Sequence, residues 1–272
     1  MKRIQLFEFE DFHWLPPFIR SSITNLLALL LKMLKTKDIV AVLIHDIKKQ
    51  HDFKQIVDLG SGSGGVMIDV IEEINKNNNT PVNLLLTDLY PNTSVVSNIN
   101  NLNIKNVHYL KESLNATDFK NAPEGLKTMM NSFHHMPPES AKKILKTAQE
   151  NKQPLLIYEM GENNIPTLLW WLLLPISIVI MVVMVLFMTP FVKNLTFKQV
   201  LFTYLIPIIP FIYAWDGQAS LVRMYTFKDV ENYLLKDLEN DSYSWKIDHA
   251  KNLKEKKQGY YILGLPEEKT VK

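Results

Sequence analysis

The chain has 272 residues, with 30 Lys and Arg against 28 Asp and Glu, and 47% of its residues are hydrophobic. This length suits one sizeable domain, or one domain with an appendage, because single cores commonly hold about 100 to 200 residues. The net charge of +2 lacks the basic excess of a nucleic-acid-binding protein, so we expect no nucleic-acid partner. Without cysteine, the chain forms no disulfides or thiolate metal sites and has no cysteine nucleophile.

The N-terminal segment, residues 1–52, is predicted to form a helical lid. Its first residues mix basic and acidic side chains rather than forming an apolar run, so we expect no secretory signal. Pro16 and Pro17 should interrupt any earlier helix. Apolar residues at three- and four-residue spacing then predict helices over residues 21–34 and 37–50. The first of these helices would pack on a sheet or supply a lipid-facing wall.

Residues 53–162 alternate between short β-rich runs and helical patterns, which is typical of a parallel sheet with crossover helices. The β-rich runs are residues 55–59, 84–88, 107–110, 126–130 and 155–159. The helical patterns between them cover residues 66–74, 91–100 and 138–149. Two further β-like runs, residues 244–249 and 259–265, are joined by a lysine-rich loop and should pair antiparallel. The sequence therefore predicts an α/β fold with a seven-stranded sheet.

A glycine-rich turn follows the first predicted strand and precedes a helix. It starts at Asp58 and reads Asp-Leu-Gly-Ser-Gly-Ser-Gly. Glycine at this place lets a ligand approach the backbone at the carboxyl ends of the strands. The turn differs from the G-x-G-x-x-G of dinucleotide-binding enzymes. It resembles the D-x-G-x-G-x-G turn of class I S-adenosylmethionine-dependent methyltransferases, and the terminal antiparallel pair is similar to the final hairpin of that family. A nucleotide-binding sheet of another type is the alternative.

The resemblance covers most of the chain apart from its apolar stretch. It implies a Rossmann-like methyltransferase sheet that binds S-adenosyl-L-methionine. Asp88 matches the acid that accepts hydrogen bonds from both ribose hydroxyls in this family, and Asp58 would organise the turn or meet the cofactor's ammonium group through water. Asn115 stands where the family often has an Asp that contacts adenine. Because the residue here is Asn, a contact with the adenine amino group is left open. The expected cofactor residues are Asp58, Gly60, Ser61, Gly62, Asp88, Leu89, Asn115, Ala116 and Asn131.

Candidate catalytic residues follow the fourth and fifth predicted strands. Methyl transfer from a sulfonium mainly requires alignment and exclusion of water, and a base helps only some acceptors. His134 and His135 lie where the family usually reaches its substrate, so either could accept a proton. Either could instead hydrogen-bond the loop or the cofactor's carboxylate. Glu159 is a second-rank candidate. We expect no metal, because no carboxylate lies at a ligand-like spacing beside the two histidines.

Substrate-binding candidates come from both ends of the chain. An aromatic and acidic segment near the N-terminus could fold over the pocket, and the Trp-Asp-Gly and Arg-x-Tyr stretches after the apolar region resemble stretches in bacterial methyltransferases. For Arg223, substrate-pocket and fold-supporting roles are both open. The candidates are Glu10, Trp14, Asp216, Arg223 and Tyr225.

Residues 163–215 are predicted to form a hydrophobic hairpin that associates with a membrane, before the core resumes over residues 216–272. Residues 163–192 carry no charge over 30 positions, and residues 199–215 carry none over 17. A bilayer core needs about 20 apolar residues per helix. Both ends of the hairpin join one sheet, so it crosses twice or not at all, and the two lysines in its loop argue mildly against crossing. Burial in a soluble core or dimer interface is the alternative.

These features together predict a membrane-associated methyltransferase with its catalytic domain on the cytoplasmic side. Because the hairpin follows the fifth strand, the methyl acceptor is expected to be lipid-like or membrane-soluble, or otherwise a small molecule. One alternative is a membrane-anchored methyltransferase with a soluble or protein acceptor. Another is a non-catalytic scaffold that binds the cofactor.

Overall fold

The computed structural model describes residues 1–76, 80–118, 122–238 and 242–267. By its internal contacts the chain divides into two units. The first contains Met1, Lys35–Gly161 and Phe227–Lys272, and the second contains Lys2–Leu34 and Glu162–Thr226. Residues 36–50 therefore belong with the sheet rather than with the N-terminal segment, and residues 216–226 belong with the apolar helices rather than with the C-terminal core.

The elements of the described residues are as follows. The strands are β1 (Gln55–Leu59), β2 (Asn83–Thr87), β3 (Val107–Tyr109), β4 (Leu126–Met130), β5 (Leu155–Glu159), β6 (Tyr243–Lys251) and β7 (Lys257–Pro266). The helices are α1 (Pro17–Met33), α2 (Thr36–Gln50), α3 (Met67–Asn75), α4 (Thr93–Asn101), α5 (Pro138–Glu150), α6 (Thr167–Met188), α7 (Phe197–Val200), α8 (Ile208–Arg223) and α9 (Phe227–Asp229). Short π-helical turns, Leu201–Leu205 and Val230–Leu234, continue α7 and α9.

The first unit contains, within its described residues, a seven-stranded sheet of order β3-β2-β1-β4-β5-β7-β6. β7 runs antiparallel to β5 and β6, and the other neighbouring strands are parallel. The predicted α/β class and all seven strands are confirmed. Ile56, Val57 and Leu59 of β1 are buried, as expected of an interior parallel strand with both faces covered. The carboxyl ends of β1, β2, β4 and β5 consequently share one edge of the sheet.

The second unit is a helical assembly with its own apolar core. Ile19, Ile23 and Leu26 of α1 pack in one cluster with Val185 and Ile212 from the apolar region. α1 begins at Pro17, so the predicted start at residue 21 was wrong. Proline is well suited to the first helical position because the N–H it lacks would have no acceptor there.

The apolar region has two legs of different shape. One helix of the described residues, Thr167–Phe191, is long and apolar enough to cross a membrane, and only 17% of its most apolar window is buried. The second leg, Phe197–Leu205 with Ile208–Arg223, passes the same test only as a pair, and it bends by 81°. Pro207 lies at the bend, where proline removes a helical hydrogen bond. Length and composition therefore allow one spanning helix, and both the hydrophobic hairpin and the membrane stay predictions.

Candidate functional site

The glycine turn lies at the carboxyl edge of the sheet, directly after β1. Gly60 and Gly62 both have positive φ, at 68° and 53°. L-amino acids with side chains rarely adopt this conformation, which explains the glycines. A Cβ on Gly62 would meet no atom within 4 Å, so its backbone is open on that side. The turn therefore presents bare main chain at the edge where α/β sheets bind ligands.

Asp88 connects this turn to the end of β2. Its Oδ2 accepts a hydrogen bond from the Gly62 N–H at 3.0 Å, and its Oδ1 accepts one from the Tyr90 N–H at 2.9 Å. Each carboxylate oxygen has a second acceptor site. The side chain is thus oriented by two backbone amides and keeps the capacity to accept two hydroxyl donors.

Asp58 organises the turn from beneath. The side chain is buried, and its carboxylate accepts hydrogen bonds from the Thr128 hydroxyl at 2.6 Å and the Ser61 hydroxyl at 2.7 Å. Burial raises the pKa of Asp58 to about 6, although both hydroxyl bonds oppose the rise and the charge of Asp88 adds slightly to it. The geometry agrees with the first of the two predicted roles, the organisation of the turn.

Ser132, which is not among the predicted site residues, has a buried hydroxyl oxygen. Its Oγ has no hydrogen-bond partner among the described residues, and it lies 3.7 Å from where a Cβ on Gly60 would stand. A buried hydroxyl without a partner is unfavourable by about 1–3 kcal/mol, so such an atom beside an open backbone turn suits a polar ligand. Neighbouring Asn131, with φ of 52°, accepts the Met160 N–H at its Oδ1 and so holds this loop to the end of β5.

Leu89, Asn115 and Ala116 lie on the loops after β2 and β3. The Leu89 side chain is exposed, and its carbonyl accepts a hydrogen bond from the Ser113 hydroxyl at 2.6 Å. The Oδ1 of Asn115 accepts both the N–H and the hydroxyl of Thr117. In this structure the Asn115 amide oxygen therefore orders its own turn.

His134 and Glu159, which the sequence predicts as two separate candidates, form a buried pair. The Glu159 carboxylate accepts the His134 backbone N–H at 2.9 Å and lies 2.8 Å from the His134 Nδ1. The two residues meet because β4 pairs with β5 in parallel. His134 follows the end of β4 and Glu159 is the last residue of β5, so both lie at the same edge of the sheet. His135 is half-buried, and its ring centroid lies 4.3 Å from that of His134. Glu159 therefore fixes the orientation of the His134 ring.

The predicted substrate residues lie in the second unit, where Asp216 and Arg223 contact its N-terminal segment. Asp216 accepts the backbone N–H groups of Phe9 and Glu10 at 2.7 and 3.2 Å. The fully buried Arg223 forms ion pairs with Glu8 at 3.0 Å and Asp11 at 2.6 Å. Of the two roles left open for Arg223, these contacts favour fold support.

Tyr225 and Trp14 differ sharply in exposure. Tyr225 is buried, with the Arg3 guanidinium 5.0 Å from its ring centroid. Trp14 is 65% exposed and stacks on Phe12 at 5.5 Å. Trp14 is thus the one predicted substrate residue in the described chain that presents most of its side chain to solvent.

Tyr109 is a site residue that sequence reasoning missed. Its hydroxyl donates a hydrogen bond to the Gly62 carbonyl at 2.8 Å from the end of β3, and burial raises the pKa of this hydroxyl above its usual range. The two residues are 47 positions apart, so no local pattern relates them. Only the order of the strands brings this tyrosine to the glycine turn.

No protein-family model and no curated protein matches this sequence. Two solved structures of the plantazolicin methyltransferase BpumL are similar to the chain. The complex with a triazolic desmethylPZN analog and SAH has a TM-score of 0.52 at 12% identity, covering 93% of this chain and 90% of that chain. The complex with SAH alone has a TM-score of 0.51 at 11% identity, covering 92% and 98%. At this identity the similarity shows that the chain has the Rossmann-like methyltransferase fold.

Proposed function

We propose that the chain is an S-adenosyl-L-methionine-dependent methyltransferase. The observation that carries the proposal is the glycine turn after β1, hydrogen-bonded through Gly62 to the carboxylate of Asp88. The turn lies in a sheet whose order and antiparallel β7 are those of the methyltransferase fold. The similar BpumL structures contain SAH, the product form of the same cofactor.

The residues at the carboxyl edge fit this cofactor. Asp88 would accept the ribose hydroxyls, and the backbone of Gly60 and Gly62 would line the methionine portion. The buried hydroxyl of Ser132, which lacks a partner in the described chain, supplies a polar contact beside that portion. The residues expected around the adenine base of the cofactor and around the glycine turn are Ser61, Leu89, Asn115, Ala116 and Asn131. When bound, the cofactor supplies a methyl group activated by its sulfonium.

His134 is the residue best placed to move a proton. Glu159 holds its Nδ1, so the ring would accept a proton from the acceptor's hydroxyl or amine at Nε2. The buried carboxylate would stabilise the resulting imidazolium, as in other histidine–carboxylate pairs. His135 stays a candidate for contact with the acceptor. Glu159 acts through His134 and is therefore a positioning residue.

Cofactor binding is tested by titrating S-adenosylhomocysteine into the purified protein and its Asp88→Ala variant. Losing two charge-assisted hydrogen bonds should weaken binding by at least about 100-fold, since each contributes about 1.5–3 kcal/mol and every 1.4 kcal/mol is tenfold in affinity. Asp69→Ala, an exposed acid in the first turn of α3, is the matched control and should bind as the wild type does. Equal affinities of wild type and Asp88→Ala would contradict the proposal.

Catalysis is tested separately, with labelled methyl donor and membranes from cells that lack this chain. Glu159→Gln and His134→Gln should each lower turnover by about 10²–10⁴-fold while keeping affinity for S-adenosylhomocysteine. Glu159→Gln should also change the pH profile, because an amide does not stabilise the imidazolium. Cofactor binding without any methyl transfer would support the non-catalytic scaffold.

We further propose that the second unit associates with a lipid bilayer, with the first unit on the cytoplasmic side, and that the acceptor is lipid-like. Large apolar side chains are exposed along α6, including Leu172, Ile176, Val179 and Ile180. Exposed apolar patches of this extent are typical of protein or membrane contact surfaces. Full transfer to soluble acceptors, with none to a lipid extract, would favour the soluble-acceptor alternative.

The absence of cysteine makes the membrane proposal directly testable. A single cysteine is placed at Leu195, in the loop between the two legs. In intact inside-out vesicles it should be protected from a membrane-impermeant maleimide, and it should be labelled after detergent is added. A cysteine at the exposed Lys228 should be labelled only from the cytoplasmic side. Complete release of the protein from membranes by carbonate would contradict an inserted hairpin.

A further inference from the structure

We infer that the second unit contains a binding site for one long hydrocarbon chain, which belongs to the methyl acceptor. The site is an apolar groove of about 550 Å³. This inference rests on the proposed function and makes the acceptor more specific: a polar lipid with a single chain rather than a two-chain phospholipid. Neither the glycine turn nor the His134–Glu159 pair contributes to the groove.

The groove is walled by three separate parts of the second unit. Phe7 and Phe9 come from the N-terminal segment, Ile178 from α6, and Ile208 and Phe211 from the bend and first turns of α8. Every lining side chain is apolar. The indole N–H of Trp215, which also lines the groove, already donates to the Phe7 carbonyl at 3.0 Å. No lining side chain in the described chain therefore offers a polar group that would orient a polar ligand.

The N-terminal wall is fixed in place by polar contacts within the second unit. Asp216 accepts the Phe9 N–H, and the buried Arg223 pairs with Glu8 and Asp11, the residues that flank this wall. The Arg223–Glu8 pair is buried, and buried ion pairs contribute little net stability but impose one geometry. The groove is thus a built feature of the unit, whose aromatic wall is held by a charged network.

The size of the groove favours a single chain. Ligand sites commonly occupy about 300–1,000 Å³. An apolar cavity of about 150 Å³ admits one benzene molecule, so by proportion this groove has room for roughly 20 carbon atoms. That matches one fatty acyl or short isoprenoid chain and is too small for the two chains of a phospholipid.

The groove also opens where such a chain would arrive. Ile208 and Phe211 on its lining are exposed at 40% and 54%, so a ligand reaches the groove from the surface. On α6, Ile178 lies on the opposite side of the helix from the exposed Ile176 and Ile180, because residues two apart differ by about 200° around a helix. The groove is therefore reached from the side of Ile208 and Phe211.

The experiment uses the full chain in lipid nanodiscs and a diazirine-bearing palmitic acid as the probe. Crosslinks should fall on residues 206–212 and on Phe7 or Phe9. Ile178→Trp, which fills the groove, should lower crosslinking at least tenfold. Ile180→Trp is the matched control two residues along the same helix, outside the lining, and should stay within twofold of wild type. Equal crosslinking of wild type and Ile178→Trp, or crosslinks confined to the outer face of α6, would overturn the site.

Competition identifies the class of occupant. Unlabelled palmitic acid should compete with the probe at least tenfold better than a phospholipid with two 18-carbon chains, and equal competition would overturn the single-chain assignment. Ile178→Trp should also lower methyl incorporation into a membrane lipid extract at least tenfold. Unchanged incorporation with lost crosslinking would overturn the assignment of the chain to the acceptor.

The groove and the methyltransferase proposal fail independently. Probe crosslinking needs no cofactor, and titration of S-adenosylhomocysteine needs no chain. Ile178→Trp should bind S-adenosylhomocysteine as the wild type does, which also shows that the first unit of the variant is folded. If the protein binds palmitic acid but no S-adenosylhomocysteine, the proposed hydrocarbon-binding site stands and the proposed methyltransferase function is refuted.

Discussion

Replacing Asp58 by asparagine should make the cofactor-free protein more stable at neutral pH, although it replaces two hydrogen bonds to a carboxylate by weaker ones to an amide. The Asp58 carboxylate is buried at the carboxyl edge of β1, where burial raises its pKa to about 6 against an ordinary 3.8. The folded protein therefore binds this proton more tightly than the unfolded chain does. The penalty for ionisation is absent below pH 4, grows between about pH 4 and 6, and is constant above.

The size of the effect follows from the pKa. A rise of roughly two pH units corresponds to about 3 kcal/mol of lost stability at pH 8. Asparagine has the same shape and removes the charge. Its hydrogen bonds to the Ser61 and Thr128 hydroxyls are weaker, which lowers the stability by about 1 kcal/mol. The net gain is about 2 kcal/mol, or a Tm increase of about 4–8 °C for a chain of this size. At pH 5 about half of the ionisation penalty remains, so most of the gain should disappear.

Thermal unfolding of wild type and Asp58→Asn at pH 8 and pH 5, without cofactor, measures this difference. Asp69→Asn, an exposed acid on α3, is the control and should change Tm little at either pH. A lower Tm for Asp58→Asn at pH 8, or the same Tm difference at both pH values, would refute the assignment of a destabilising buried charge.

Two further predictions concern the second unit. Arg223→Leu should lower the free energy of unfolding by about 3–5 kcal/mol, because Glu8 and Asp11 lose their buried counter-charge; a Tm within 1 °C of wild type would contradict this. Gly217→Leu should destabilise by about 1–3 kcal/mol, because even a Cβ at Gly217 meets the Met181 side chain. Adding Met181→Ala should restore part of that loss in thermal unfolding, and strictly additive losses would show that the two side chains do not compete for space.

Local patterns predicted the sheet because its signals lie within short segments. The boundaries of β1, β4 and β5 agree with the β-rich runs, and the glycine turn identified the ligand edge from seven consecutive residues. Asp88 was predicted from its place at the end of β2. These features depend on residue periodicity and backbone conformation, which are encoded nearby in the chain.

Contacts between distant residues could not be predicted in the same way. The pairing of His134 with Glu159 depends on β4 and β5 being neighbours, and the contact of Phe9 with Asp216 joins residues 207 positions apart. Helical periodicity shows which face of α8 is apolar, but it does not show that Asp216 anchors an N-terminal segment. The groove was missed for the same reason, because its walls come from three parts of the chain.

Buried charged side chains have different partners in the two units, and this difference distinguishes a structural role from a ligand-binding role. In the second unit the buried Arg223 has two carboxylate partners, the buried Glu8 and the more exposed Asp11, which fix its geometry. In the first unit Asp58 is buried with hydroxyl partners, and the nearest charge acting on it is the like charge of Asp88. An arrangement that raises the free energy of the empty protein is relieved by a cation, since an opposite charge lowers a carboxylate's pKa. The ammonium group of S-adenosylmethionine is such a cation, and a contact with it through water is the second role predicted for Asp58, beside the organisation of the turn.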